Sequence, residues 1–154
     1  MKRFLFVVFI ISLTIIGCRS PKLNKNIPQD QGISGIVLEA KGNRMPMKGV
    51  NLQPLKGIKC TVLIYDSTHF SQTTKSAISG LYTLINTKLV ASVETDSNGK
   101  FNISLPVGKY SLFIKQGENF YANLFDQNNN IALFEVLVEN FTEVKLTLNN
   151  GATY

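Results

Sequence analysis

From Ile33 to the end of the chain, apolar and polar residues alternate with a period of two in short segments, and glycine, asparagine, aspartate or proline closes each segment. Such alternation puts successive side chains on opposite faces of an extended backbone, so it predicts half-buried β-strands. The first strand is Ile33–Ala40. In Lys59–Asp66, Cys60, Val62 and Ile64 face one way and Thr61, Leu63 and Tyr65 the other. Lys88–Thr95 follows. Phe101, Ile103 and Leu105 then alternate with Asn102 and Ser104, and Tyr110, Leu112 and Ile114 with Ser111, Phe113 and Lys115. Ala132–Glu139 and Thr142–Asn149 complete the set, the last with Val144, Leu146 and Leu148 inward and Lys145 and Thr147 outward. Seven short strands with turn signals between them predict an all-β sandwich. Asp96-Ser97-Asn98-Gly99 combines an aspartate that can bond its own backbone with residues that tolerate positive φ, and Pro106-Val107-Gly108 is a second tight turn. Both predict hairpins between their flanking strands. Asn128-Asn129-Asn130 is a polar loop. Ser67–Thr87, long and rich in Ser and Thr, has room for a short helical turn. Connections longer than about 12–15 residues are usually functional or disordered.

The N-terminus has a different pattern. Met1-Lys2-Arg3 is basic, and Phe4–Ile16 is apolar except for Ser12 and Thr14. That run is short of the ~20 residues of a spanning helix and fits a secretory signal. It ends in Ile15-Ile16-Gly17-Cys18, which resembles the bacterial lipobox. The resemblance implies cleavage after residue 17, diacylglycerol on the Cys18 thiol and acylation of its new amine. Two or three acyl chains, at ~0.8 kcal/mol per buried CH₂, hold a protein firmly on a bilayer. The non-acidic Arg19 and the absence of an acidic cluster in Arg19–Asn26 imply, by resemblance to other bacterial lipoproteins, an outer-membrane anchor facing the periplasm. Residues 18–31 then form a lipidated, polar, proline-containing tether, and residues 32–154 the folded domain.

Removal of Lys2 and Arg3 lowers the 16 basic residues to 14 against 10 acidic, and the formal charge from +6 to +4. The basic residues are scattered rather than clustered, which argues against a nucleic-acid partner. With Cys18 lipidated, Cys60 has no cysteine to pair with in its own chain, and its apolar setting predicts a small core residue. His69, the single histidine, has Asp66, Ser67 and Ser71 as neighbours, but sequence neighbours rarely assemble a triad and no Gly-x-Ser-x-Gly elbow is present. One histidine and one free cysteine do not make a usual zinc site. The Asp96 turn has Val107 where a calcium loop needs its twelfth-position glutamate, so a hairpin turn is the stronger reading. Glu94, Glu118 and Glu135 are isolated. No catalytic residue, metal or cofactor is expected.

Thr95-Asp96-Ser97-Asn98-Gly99-Lys100-Phe101 and Leu105-Pro106-Val107-Gly108-Lys109-Tyr110-Ser111-Leu112 together resemble the carboxypeptidase regulatory-like domain, whose signature is T-D-x-x-G-x-F followed by L-P-x-G-x-Y-x-L. Gly35-Ile36-Val37 and Pro54-Leu55-Lys56-Gly57-Ile58 match its opening elements, so the resemblance spans about Ile33 to Leu148. Lys41–Gln53 and Ser67–Thr87 are longer than the family pattern. The resemblance implies a seven-stranded transthyretin-like (prealbumin-like, Ig-like) sandwich and a non-catalytic accessory role. The leading expectation is therefore a lipid-anchored envelope module acting through a protein partner. A glycan-binding domain is the alternative, and an envelope hydrolase the weakest reading. The candidate contact residues are aromatics in or beside the two long connections: Tyr65, Phe70, Tyr82, Phe120, Tyr121 and Phe125. Two readings stay open for them: a ligand surface at one end of the sandwich, or rings that plug the open ends of the core.

Overall fold

The computed structural model describes residues 30–46, 48, 49 and 52–153. The signal segment, Cys18 and nearly all of the tether lie outside the described residues. The chain is a β-sandwich. Its strands are β1 (Gly32–Ala40), β2 (Lys56–Gly57), β3 (Thr61–Asp66), β4 (Thr73–Lys75), β5 (Leu81–Ile85), β6 (Leu89–Glu94), β7 (Lys100–Ser104), β8 (Gly108–Gln116), β9 (Asn119–Tyr121), β10 (Leu133–Val136) and β11 (Phe141–Asn149). All seven strands expected from the alternation form. β2, β4, β5 and β9 are additions from the connections.

In the smaller sheet β1 is central. One edge pairs in parallel with β11 along its whole length, from Gly32 opposite Phe141 to Ala40 opposite Asn149. The other edge is shared: β7 takes Gly32–Ile36 and β2 takes Leu38 and Glu39. The larger sheet runs β4-β5-β9-β8-β3-β6, with β10 beside β9 on the same edge of β8. Ile33, Val37, Phe101, Val144, Leu146 and Leu148 from the small sheet meet Val62, Ile64, Leu112 and Ile114 from the large one in the inter-sheet core. Each such buried aliphatic contributes roughly 1.5–3 kcal/mol of transfer free energy.

The two turns are correctly placed in sequence but do not make hairpins. β6 pairs with β3 in the large sheet and β7 with β1 in the small one, so Asp96–Gly99 carries the chain from one sheet to the other. The Asp96 carboxylate accepts the N–H groups of Asn98 and Lys100, both at 2.8 Å. Gly99 sits at φ 80°, and its carbonyl accepts the Val37 N–H at 2.8 Å, which fastens the crossover onto β1. A Cβ at Gly99 would overlap the Val37 carbonyl oxygen. Pro106–Gly108 crosses back to β8. Gly108 lies outside the positive-φ region. A Cβ there would stand 3.2 Å from the Tyr110 hydroxyl, which donates to the Pro106 carbonyl at 3.0 Å.

The central strands of the large sheet, β3 and β8, are buried on both faces. Leu63, Tyr65 and Phe113, on the faces of β3 and β8 turned away from the sandwich core, pack with Tyr82, Ile85, Ala122, Ile131 and Ala132 in a second apolar cluster. The Ser67–Thr87 segment supplies its cover: a 3₁₀ turn at Phe70–Gln72 and the β4–β5 pair, with β5 joined to β9. A buried polar knot holds this cover in place. The Thr68 N–H donates to the Ser111 hydroxyl at 3.0 Å, and the Thr68 and Thr87 hydroxyls bond each other at 2.6 Å. The length of the segment is thus spent on covering the sheet.

Candidate binding surface

The six aromatics divide between core and surface. Tyr65 and Tyr82 are buried in the second cluster, both edge-on to Phe113, with centroids 5.6 and 5.8 Å apart. Phe120 is half-buried and joins them through Tyr65 at 6.2 Å. Tyr121 faces the opposite way, into the inter-sheet core, and its hydroxyl accepts the Asn149 N–H at 3.1 Å. These four rings are packing elements. Phe120 and Tyr121 are neighbours on a strand, so period two sends them to opposite faces of the sheet.

Phe70, half-buried against the same second cluster, pairs outward with the exposed Phe125. Their centroids are 6.3 Å apart at an interplanar angle of 63°, and the Lys75 ammonium stands 4.4 Å from the Phe70 centroid. Phe125 is 49% exposed and Leu124 beside it 42%. The fold leaves these two apolar side chains of the loop uncovered. The loop itself is well braced. The Asp126 carboxylate accepts the N–H groups of Asn128 (2.9 Å) and Asn130 (2.8 Å) and the Asn130 side-chain amide (2.7 Å). Those bonds, the Asn130 side chain first, hold the Asp126 carboxyl below its usual range. A bridge from Phe125 to Ile131 closes the loop, and one from His69 to Asn130 ties it to the residue that caps the 3₁₀ turn. Gln127, Asn128 and Asn129 of the same loop are exposed.

His69 has a local structural task. Its Nδ1 accepts the Ser71 N–H at 3.1 Å, lies 2.8 Å from the Ser71 hydroxyl, and so caps the 3₁₀ turn, while the Gln72 side chain returns a bond to the His69 N–H. Cys60 carries a free thiol, half-buried beside the Thr95 hydroxyl at 3.8 Å. Burial pushes that thiol's pKa up. Thr95 is a clamp that the alternation does not reveal: its hydroxyl accepts the Cys60 N–H and donates to the Ile58 carbonyl, which closes the end of β6 onto the entry to β3. Among the described residues, no group of three or more His, Cys, Asp or Glu side chains is arranged to hold a metal.

No protein-family model matches the chain, and no match emerges among curated proteins or solved structures.

Proposed function

We propose that this chain is a lipid-anchored, non-enzymatic binding module of the bacterial cell envelope, exported by residues 1–17 and held on the periplasmic face of the outer membrane through Cys18. In this reading it acts on a protein partner, as the accessory β-sandwiches of the carboxypeptidase regulatory-like family do. One observation carries the binding part: the Phe70–Phe125 pair, with Phe125 half exposed on a loop held rigid by Asp126. A rigid exposed ring loses little entropy on contact and supplies a large apolar area, which is the make-up of an interface anchor. The exposed amides of Gln127, Asn128 and Asn129 favour a second reading, in which the ring stacks on a sugar and the amides bond its hydroxyls.

The test is a photoreactive benzoylphenylalanine at position 125 in the native envelope, with the same group at Ile78 as the control. A protein adduct formed at 125 and not at 78 supports the protein-partner reading. Retention on purified cell-wall glycan that Phe125→Ala abolishes, with no protein adduct, supports the second. Neither adduct nor retention overturns both.

A further inference from the structure

The exposed apolar residues outside the Phe125 loop include a group at one end of the sandwich. Because β1 and β11 are parallel, Gly32 and Phe141 mark one end and Ala40 and Asn149 the other. At the Gly32 end, Val107 is 52% exposed, Leu137 50% and Val138 68%. The register that sets Val136 opposite Gly108 leaves Leu137 and Val107 each one residue beyond the last pair, so two separate turns carry apolar residues at the same end of the ladder. Neither turn needs them for packing: the core is closed there by Leu105, Tyr110 and Val136, all buried.

The chain enters the domain at this same tip. Gln31 is buried, and it is bonded to both turns. Its side-chain amide donates to the Leu105 carbonyl at 3.2 Å, its backbone carbonyl accepts the Leu105 N–H at 3.3 Å, and its side-chain oxygen accepts the Glu139 N–H at 3.4 Å. The residue that ends the tether is therefore fixed between the segments that carry Val107 and Leu137-Val138. Only the residues from Cys18 to Gln31 separate this point from the lipid, a span of at most roughly 45 Å when fully extended. We propose that the tip formed by Val107, Leu137 and Val138 docks on the lipid bilayer, its apolar side chains sinking into the headgroup–acyl boundary while the Phe125 loop stays free for a partner. This rests on the lipid-anchor reading of Cys18.

The charges around the tip say what kind of docking this is. Among the described residues of the tip, Lys88 and Lys109 are outnumbered by Asp30, Asp66, Glu135 and Glu139, all exposed, so the folded tip presents no basic patch to anionic lipid. Attachment by apolar area is insensitive to screening, and it works on zwitterionic lipid.

The chain contains no tryptophan, so a single one reports its own position. The full chain is produced in a host that processes lipoproteins, purified with its anchor, and reconstituted on brominated phosphatidylcholine vesicles, once as Val138→Trp and once as Ile78→Trp. Vesicle flotation reads the anchor; fluorescence reads the tip. The expected result is co-flotation of both variants, with a blue-shifted, strongly quenched emission from position 138 in low and molar salt, and unquenched emission from position 78. Adding Val107→Ser and Leu137→Ser should release the quenching without changing the circular dichroism. Co-flotation with equal emission from the two positions overturns the docked tip and leaves the anchor standing. Quenching at 138 that vanishes in molar salt overturns apolar insertion. Failure to float overturns the anchor and the tip together.

Discussion

At the scale of single residues, neighbouring aromatics on one short strand and its loop do opposite work. Tyr121 is buried and bonded through its hydroxyl, so Tyr121→Ala should cost about 3–5 kcal/mol, the usual penalty of emptying a large aromatic site. Phe125→Ala should cost only about 0.5–1.5 kcal/mol, the value of one aromatic pair, and should leave the fold intact while weakening capture of a partner. Urea melts of the two variants decide the matter, and equal losses would remove Phe125 from the candidate surface. The buried phenols give the protein an alkaline limit. Burial raises the pKa values of Tyr65, Tyr82 and Tyr110, with Tyr121 adding at Tyr82 and Asp66 at Tyr110. In the unfolded chain the same phenols ionise near pH ~10. Above that pH the unfolded state gives up protons that the folded state keeps, so the stability contributed below pH ~10 is lost as pH rises further. Ultraviolet difference absorbance should show these tyrosines ionising together with unfolding, and Tyr82→Phe should flatten the alkaline fall. Reversible titration near pH 10 with stability unchanged would contradict this.

At the scale of elements, the existence of the seven main strands was legible, but their partnership and the short strands of the connections were not. Val144, Leu146 and Leu148 announce an amphipathic strand because each meets the core at every second position. The Asp96 turn announces only a reversal. Whether the chain returns beside β6 or crosses to the other sheet depends on where Gly99 meets Val37 and Gly57 meets Asn98, contacts set by residues tens of positions away. Gly99→Ala tests that crossover. It should destabilise by at least ~1–3 kcal/mol from left-handed strain, with the overlap on the Val37 carbonyl added. A melt within error of the parent would show that the turn shifts freely. β5 went unseen for another reason. Tyr82 and Ile85 bury themselves three positions apart, so Leu81–Ile85 lacks the period of two. The alternation led to half-buried strands, whereas Val62–Tyr65 and Phe113 are buried on both faces of the sheet, where strands lose their alternation. The candidate site was half legible: the aromatic density of the two connections is real, but which rings are covered depends on the β4–β5 cover, which no local pattern encodes.

At the scale of the whole molecule, the proposed reading joins the Gly32 end of the domain to the membrane and gives the Phe125 loop to a partner. Cys18→Ala should move the protein from the detergent-soluble membrane fraction to an uncleaved or soluble, unlipidated form, as read by fractionation and intact mass. A processed, membrane-retained variant would end the lipoprotein reading. The parallel pairing of β1 with β11 has a mechanical consequence. Suppose the lipid holds the N-terminal side and a load acts on the C-terminal segment. The pull then runs along the strands and out of opposite ends of the β1–β11 ladder. All nine residue pairs of that ladder resist together in shear, and none can be peeled one at a time. A hairpin in the same place would unzip pair by pair under a far smaller force. With the proposed anchor in place, the arrangement makes this domain a stiff link in series between a bilayer and whatever pulls on it.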